Sequence, residues 1–144
     1  MTGTSLIWKL DPRLEADTVV VDDSDTEMLL LMNDCRWPWL ILVPRISNAE
    51  EWHDIRAGAN AWISQRVGTI GQRLKDHTGC EKINTAALGN VVRQLHIHII
   101  ARSQGDANWP GPVWGFGRAQ PYMERESEIL IRDLKEIMNA PVVY

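Results

Sequence analysis

Residues 93–102 read RQLHIHIIAR, from Arg93 to Arg102. Polar and apolar side chains alternate through this stretch, which is the pattern of a strand with two unlike faces. A strand over Gln94 to Ala101 puts Gln94, His96 and His98 on one side and Leu95, Ile97 and Ile99 on the other. The apolar side is expected to pack on a helix. The polar side becomes a rigid mount for two imidazoles about 7 Å apart along the strand. Two of the chain's four histidines lie in this one segment.

Working outward, Glu81 to Ala86 reads as a second strand, and Gly89-Asn90 between the two supplies turn chemistry. So short a connection excludes a parallel crossover and predicts an antiparallel hairpin. Further upstream, Thr18 to Asp22 (TVVVD), Met28 to Asn33 (MLLLMN) and Trp39 to Val43 (WLILV, ended by Pro44) are short strand-like runs, with a turn at Asp34 to Trp37. The segment from Thr2 to Leu14 reads as a loop with a turn at Asp11-Pro12.

Ser47-Asn48-Ala49-Glu50 has the spacing of a capping box. After it Trp52, Ile55, Ala59, Trp62, Ile63, Val67, Ile70 and Leu74 recur at threes and fours, which predicts a long amphipathic helix holding His53 and His77 and ending at Gly79. Residues 103–122, rich in Gly, Pro and Trp, are expected to form an ordered loop. Glu124 to Asn139 closes the chain as a helix with Ile129, Leu130, Leu134, Ile137 and Met138 on one stripe. The fold class predicted is α+β: a five-stranded, mostly antiparallel sheet with a long helix across one face, in one domain of 144 residues.

The net charge of -4 argues against a protein that coats DNA or RNA, which needs clustered cations. A small anion remains compatible, because a few local donors suffice. The two cysteines, Cys35 and Cys80, form no CxxC pair, and reduced thiols in a cytoplasmic setting are the expectation. No signal-like start and no bilayer-length apolar run are present in the sequence, so no membrane partner is expected.

Three readings of the histidine pair compete. They can be ordinary strand residues. They can be metal ligands, although HxH needs one or two further donors and no acidic residue lies close by in sequence. Or one can attack phosphorus through a ring nitrogen, provided a carbonyl holds the other nitrogen, while its neighbour assists at the leaving group.

QLHIHII (Gln94 to Ile100) resembles the signature of the histidine triad (HIT) superfamily, His-φ-His-φ-His-φ-φ with φ apolar. The flanks are similar as well: KIN (Lys82 to Asn84) and LGN (Leu88 to Asn90) before it, NWPG (Asn108 to Gly111) after it, and MND (Met32 to Asp34) with LILVP (Leu40 to Pro44) upstream. The likeness spans roughly residues 25–115, with the C-terminal helix at 123–140 outside it.

The resemblance implies a nucleotide hydrolase or nucleotidyl transferase, acting at the α-phosphate of a nucleoside phosphoramidate or dinucleoside polyphosphate without a cofactor. His96 would be the nucleophile that carries the nucleotide, His98 would assist, and the Gln94 carbonyl would hold the His96 tautomer. Gly89, Asn90 and Val91 would offer backbone N–H groups to phosphate oxygens. Asn84 would stand beside the phosphate, Asn33 or Asp34 at the ribose, and Trp109 over the site. A homodimer with joined sheets is also implied.

The chain departs from the pattern at three places. Gln94 stands at the first histidine, Val91 at the serine of the phosphate turn, and Pro44-Arg45-Ile46-Ser47 lacks a histidine that many members carry after the proline. The two absent histidines belong to one cluster and are read as a joint substitution. A nucleotide-binding module with little turnover, or an HxH metal protein, are the opposing readings.

Overall fold

A computed structural model describes residues 7–141. Nine elements follow one another: α1 (Pro12–Asp17), β1 (Thr18–Asp23), β2 (Glu27–Met32), β3 (Trp39–Pro44), a 3-10 turn (Trp52–Asp54), α2 (Ala57–Thr78), β4 (Lys82–Ala86), β5 (Ile97–Arg102) and α3 (Glu124–Asn139). The strands form one antiparallel sheet in the order β1-β2-β3-β5-β4. This is the α+β architecture expected, with β5 inserted between β3 and β4 by the length of α2.

The sheet buries both faces. On one side Leu40 and Leu42 of β3, with Ile97, Ile99 and Ala101 of β5, meet α2 and α3. α2 crosses at Gly71, where an added Cβ would stand 3.5 Å from Ile83 and 3.9 Å from Ile99. On the other side Leu30, Trp39, Ile41, Val43 and Ile100 pack with Trp37 and Val113. Cross-strand partners share a face, and Ile41 is paired with His98. The histidine face is therefore a second core, walled by tryptophan, and not a solvated surface.

Three boundaries differ from expectation, each for a physical reason. The long helix starts at Ala57, ten residues after Ser47. The capping box lies at Glu51 and Asp54 and closes the 3-10 turn, so Trp52, His53 and Ile55 precede the helix. The Ala49 carbonyl is occupied by the Leu95 N–H at 2.9 Å, which ties this stretch to the histidine segment. At the other end Gly79 (φ 68°) is the left-handed C-cap foreseen, and its N–H donates to Lys75 O at 2.8 Å.

β5 begins at Ile97, because the ladders pair Leu42 with Ile97 and Ala86 with His98 and go no further. Gln94 and His96 lie just outside it. Asp11-Pro12 opens a helix, α1, with Asp11 Oδ1 accepting from the Arg13 N–H at 2.8 Å and proline at the first helical position. Thr2 to Leu6, the rest of the segment read as a loop, lie outside the described residues. In α3 the buried residues are Leu134 and Met138, while Ile129 is exposed. Among the described residues no helix is long and apolar enough to cross a membrane.

Candidate active site

Nδ1 of His96 lies 2.7 Å from the backbone carbonyl of Gln94, two residues upstream. A carbonyl only accepts, so Nδ1 carries the proton and Nε2 keeps a free lone pair. The ring is buried, and desolvation lowers its pKa; the Gln94 carbonyl and the charge of Asp11 oppose that shift without cancelling it. His96 is held neutral, which is the state in which imidazole is nucleophilic.

His98 stands beside it, with ring centroids 4.8 Å apart and planes at 71°. The rings are closer than the strand rise suggests, and His96 lies just before β5 rather than in its ladder. Trp39 Nε1–H donates to His98 Nδ1 at 2.9 Å. With Nδ1 accepting, the proton sits on Nε2, which faces the Leu88 carbonyl at 3.3 Å. Burial, then the neighbouring His96, push the His98 pKa down to about 4, against a small upward pull from Leu88. His98 is thus a neutral hydrogen-bond donor near pH 7, with no spare proton to give to a leaving group.

The turn before the histidines lies across both rings. Leu88 offers its carbonyl to His98, and a Cβ built on Gly89 would be 3.7 Å from His96 Cε1 and only 2.7 Å from the Val92 carbonyl oxygen. Position 89 therefore requires glycine for close approach. Gly89, Asn90, Gln94 and His96 line one small recess of about 80 Å³, together with Glu50 and Glu51. Val91, exposed, is not part of it.

A larger cleft of about 420 Å³ lies against Trp39 and Trp114, the two indoles that pack on His98. Asn33, Asp34, Trp39, Trp114 and Phe116 line it. Asp34 is already engaged: Arg36 grips both carboxylate oxygens at 2.9 and 2.7 Å. Burial pushes this carboxyl up, but Arg36 and the backbone N–H groups of Gln120 and Arg36 outweigh it and hold it below the usual range. Asn33 Oδ1 accepts from the Tyr122 N–H at 3.0 Å. Both residues thus anchor the segment 120–122 that walls the cleft.

Two expected site residues are placed elsewhere. Asn84 Oδ1 accepts from Arg102 at 3.2 Å, and Trp109 packs 5.8 Å from the same guanidinium. The aromatic ring over the histidines within this chain is Trp114, 5.3 Å from His98. Its Nε1–H is buried without an acceptor. Trp39, Trp114 and the Leu88 carbonyl are the functional neighbours that sequence reasoning missed. Only Trp39 carried a signal, since it alternates in phase with Ile41 and Val43 on the histidine face. Among the described residues no group of three or more His, Cys, Asp or Glu could hold a metal ion. His53 and His77 lie in the 3-10 turn and α2, away from the pair.

Comparison with known proteins bears on the family and the fold. Residues 13–105 match the family model described as HIT domain, which is well over half of the chain. The chain belongs to the HIT domain family. Its fold is shared with HIT proteins of solved structure. A histidine triad protein from Sinorhizobium meliloti 1021 is 45% identical, with 90% of this chain and 96% of that one covered and a TM-score of 0.87. One from Bradyrhizobium japonicum is 40% identical over 91% and 98%, with a TM-score of 0.87. One from Marinobacter aquaeolei VT8 is 39% identical over 91% and 96%, with a TM-score of 0.88. A search among curated proteins gave no match. HIT proteins are in general nucleotide-binding hydrolases or transferases, and some members are not catalytic.

Proposed function

We propose that this HIT protein is a nucleotide hydrolase or nucleotidyl transferase that works through a nucleotidyl-His96 intermediate. One observation carries the reading: the Gln94 carbonyl holds the Nδ1 proton of a buried, neutral His96, leaving Nε2 free beneath a glycine turn. The Nε2 lone pair attacks the α-phosphorus, a P–N bond forms, and the bond to the leaving group breaks with its electrons. Gln94 O, on Nδ1–H, stabilises the positive imidazole ring that results. Water then attacks phosphorus, its proton goes to solvent, and the P–N electrons return to Nε2.

In this reading the backbone at Gly89 and Asn90 and the Nε2–H of His98 donate to the phosphoryl oxygens. The cleft of about 420 Å³ takes the nucleoside between Trp39, Trp114 and Phe116, with Asn33 and Asp34 at its wall. The substrate class is a nucleoside phosphoramidate or a dinucleoside polyphosphate. A polyphosphate leaves as its anion, whereas an amine must first take a proton from solvent, because His98 has none to give. Asn84 and Trp109 act in this scheme through the Arg102 network and not by touching phosphate. A small-molecule nucleotide partner and a homodimer, which rest on the resemblance, and a cytoplasmic setting, which rests on the two unpaired cysteines, complete the proposal.

The neutral state of His98 favours a second reading, nucleotide binding without turnover. Mass spectrometry decides between them. Wild type and His96→Ala are mixed briefly with a labelled dinucleotide and quenched in alkali, which preserves a phosphorus–nitrogen bond. A nucleotidyl adduct on the wild type and none on the variant is the expected result. No adduct, together with equal product yields from both, overturns the enzyme reading.

A further inference from the structure

Gln94 has a second function in its side chain. Nε2–H donates to Lys9 O at 2.8 Å, and Oε1 accepts from the Asp11 N–H at 2.9 Å. The carboxamide thereby pairs with residues 9 and 11 as a neighbouring strand would, donor and acceptor side by side. Imidazole cannot copy this, since its two nitrogens point away from each other across the ring. The next residue fixes a second segment, through the bond from Leu95 N–H to Ala49 O.

These two anchors define a pocket of about 300 Å³ between the N-terminal segment and residues 46–50. Trp8, Lys9, Ser47, Asn48 and Glu50 line it, and Gln94 and Glu50 form its boundary with the His96 recess. The charged and titratable groups facing position 94 are Lys9, Asp11, Glu50, Glu51 and His96, with Glu50 held by Arg93 at 2.6 Å.

We propose that Gln94 is a positioning residue whose carboxamide fastens Lys9 and Asp11, and so builds the wall of a subsite that receives the substrate's leaving group. The clamp is a property of the protein alone. The subsite rests on the nucleotidyl transfer reading above.

The test uses the full chain with Gln94→Ala, Gln94→His and Gln94→Glu. Amide hydrogen exchange at Asp11, without substrate, reads the clamp: protection falls at least tenfold in Gln94→Ala and Gln94→His. In Gln94→Glu the carboxylate still accepts from the Asp11 N–H, so protection there is kept while it is lost in Gln94→His, a split that a plain packing role would not produce. Unchanged Asp11 protection in both Gln94→Ala and Gln94→His overturns the clamp. For the subsite, two substrates with the same nucleotide and a small or a large leaving group are compared. The preference for the larger one falls at least tenfold in Gln94→Ala, carried by KM; an unmoved preference overturns the subsite. A lost Asp11 protection with no turnover by wild type would uphold the clamp and sink the transfer reading instead.

Discussion

Trp39 Nε1 lies 2.9 Å from Nδ1 of His98, and this one contact decides which nitrogen of His98 is a donor. An indole N–H can only donate. The tautomer of a site histidine is thus set by a tryptophan on the adjacent strand, where residue 39 stands diagonal to residue 98 in the β3–β5 register.

The first prediction concerns that ring. Nitrogen-15 NMR will find His98 in the Nε2–H form from pH 8 downward, with a midpoint near the value of about 4. The unfolded chain takes up this proton near pH 6.5 and the folded chain only near 4. Stability is therefore fully present above pH 6.5 and is lost as pH falls toward 4, at roughly 1.4 kcal/mol per pH unit while only the unfolded form titrates. Trp39→Phe keeps a ring but removes the donor, leaving a buried Nδ1 without a partner at a cost of about 1–3 kcal/mol. A Trp39→Phe protein that keeps a single Nε2–H tautomer contradicts this account.

Gly89→Ala is the second. The new methyl would stand 2.7 Å from a backbone carbonyl, which cannot rotate aside, so the turn must shift. Overpacking of this kind costs about 1–3 kcal/mol. Because the same turn spans both histidines, turnover is expected to fall at least tenfold while thermal melting shows the protein folded. Full activity in Gly89→Ala would remove the turn from the site.

A third prediction tests Arg102, which ends β5 and is only 1% exposed. Its guanidinium bonds both oxygens of Asp106 at 2.8 Å, Gly111 O at 2.8 Å and Asn84 Oδ1 at 3.2 Å. Arg102→Met breaks an ion pair whose cation is buried and leaves the half-buried acceptors without it, a loss of up to about 3–5 kcal/mol. Lysine, a point donor without the planar fork, restores only part of it. Urea denaturation of the two variants measures this, and an Arg102→Met protein within about 1 kcal/mol of wild type would refute it.

Much of this was legible in sequence, and what was missed has a common cause. Strands β1 to β3, the β4–β5 pairing, α3 and the Gly79 cap follow from local pattern and turn chemistry, which short-range physics controls. The start of α2 was misplaced because two cap-like sequences compete within eight residues, and the long-range bond from Leu95 to Ala49 decides between them. Alternation put His96 and His98 on one face, and turn chemistry located Gly89 before them. Neither could find Trp114, Arg102 or the Gln94 clamp, each of which depends on contacts between distant parts of the chain. Asn33 and Asp34 line a cleft, but their side chains are already spoken for by Tyr122 and Arg36.

The Leu88 carbonyl, 3.3 Å from His98 Nε2, makes a longer bond than most. In the proposed mechanism it is also the group an arriving oxyanion must supplant. Binding there is an exchange of acceptors on one proton: the ligand gains only the difference between its charged oxygen and a weakly held peptide oxygen, and the displaced carbonyl must find solvent or move with its turn. Since Gly89 follows directly and lies against His96, recognition at one imidazole is mechanically tied to the approach to the other.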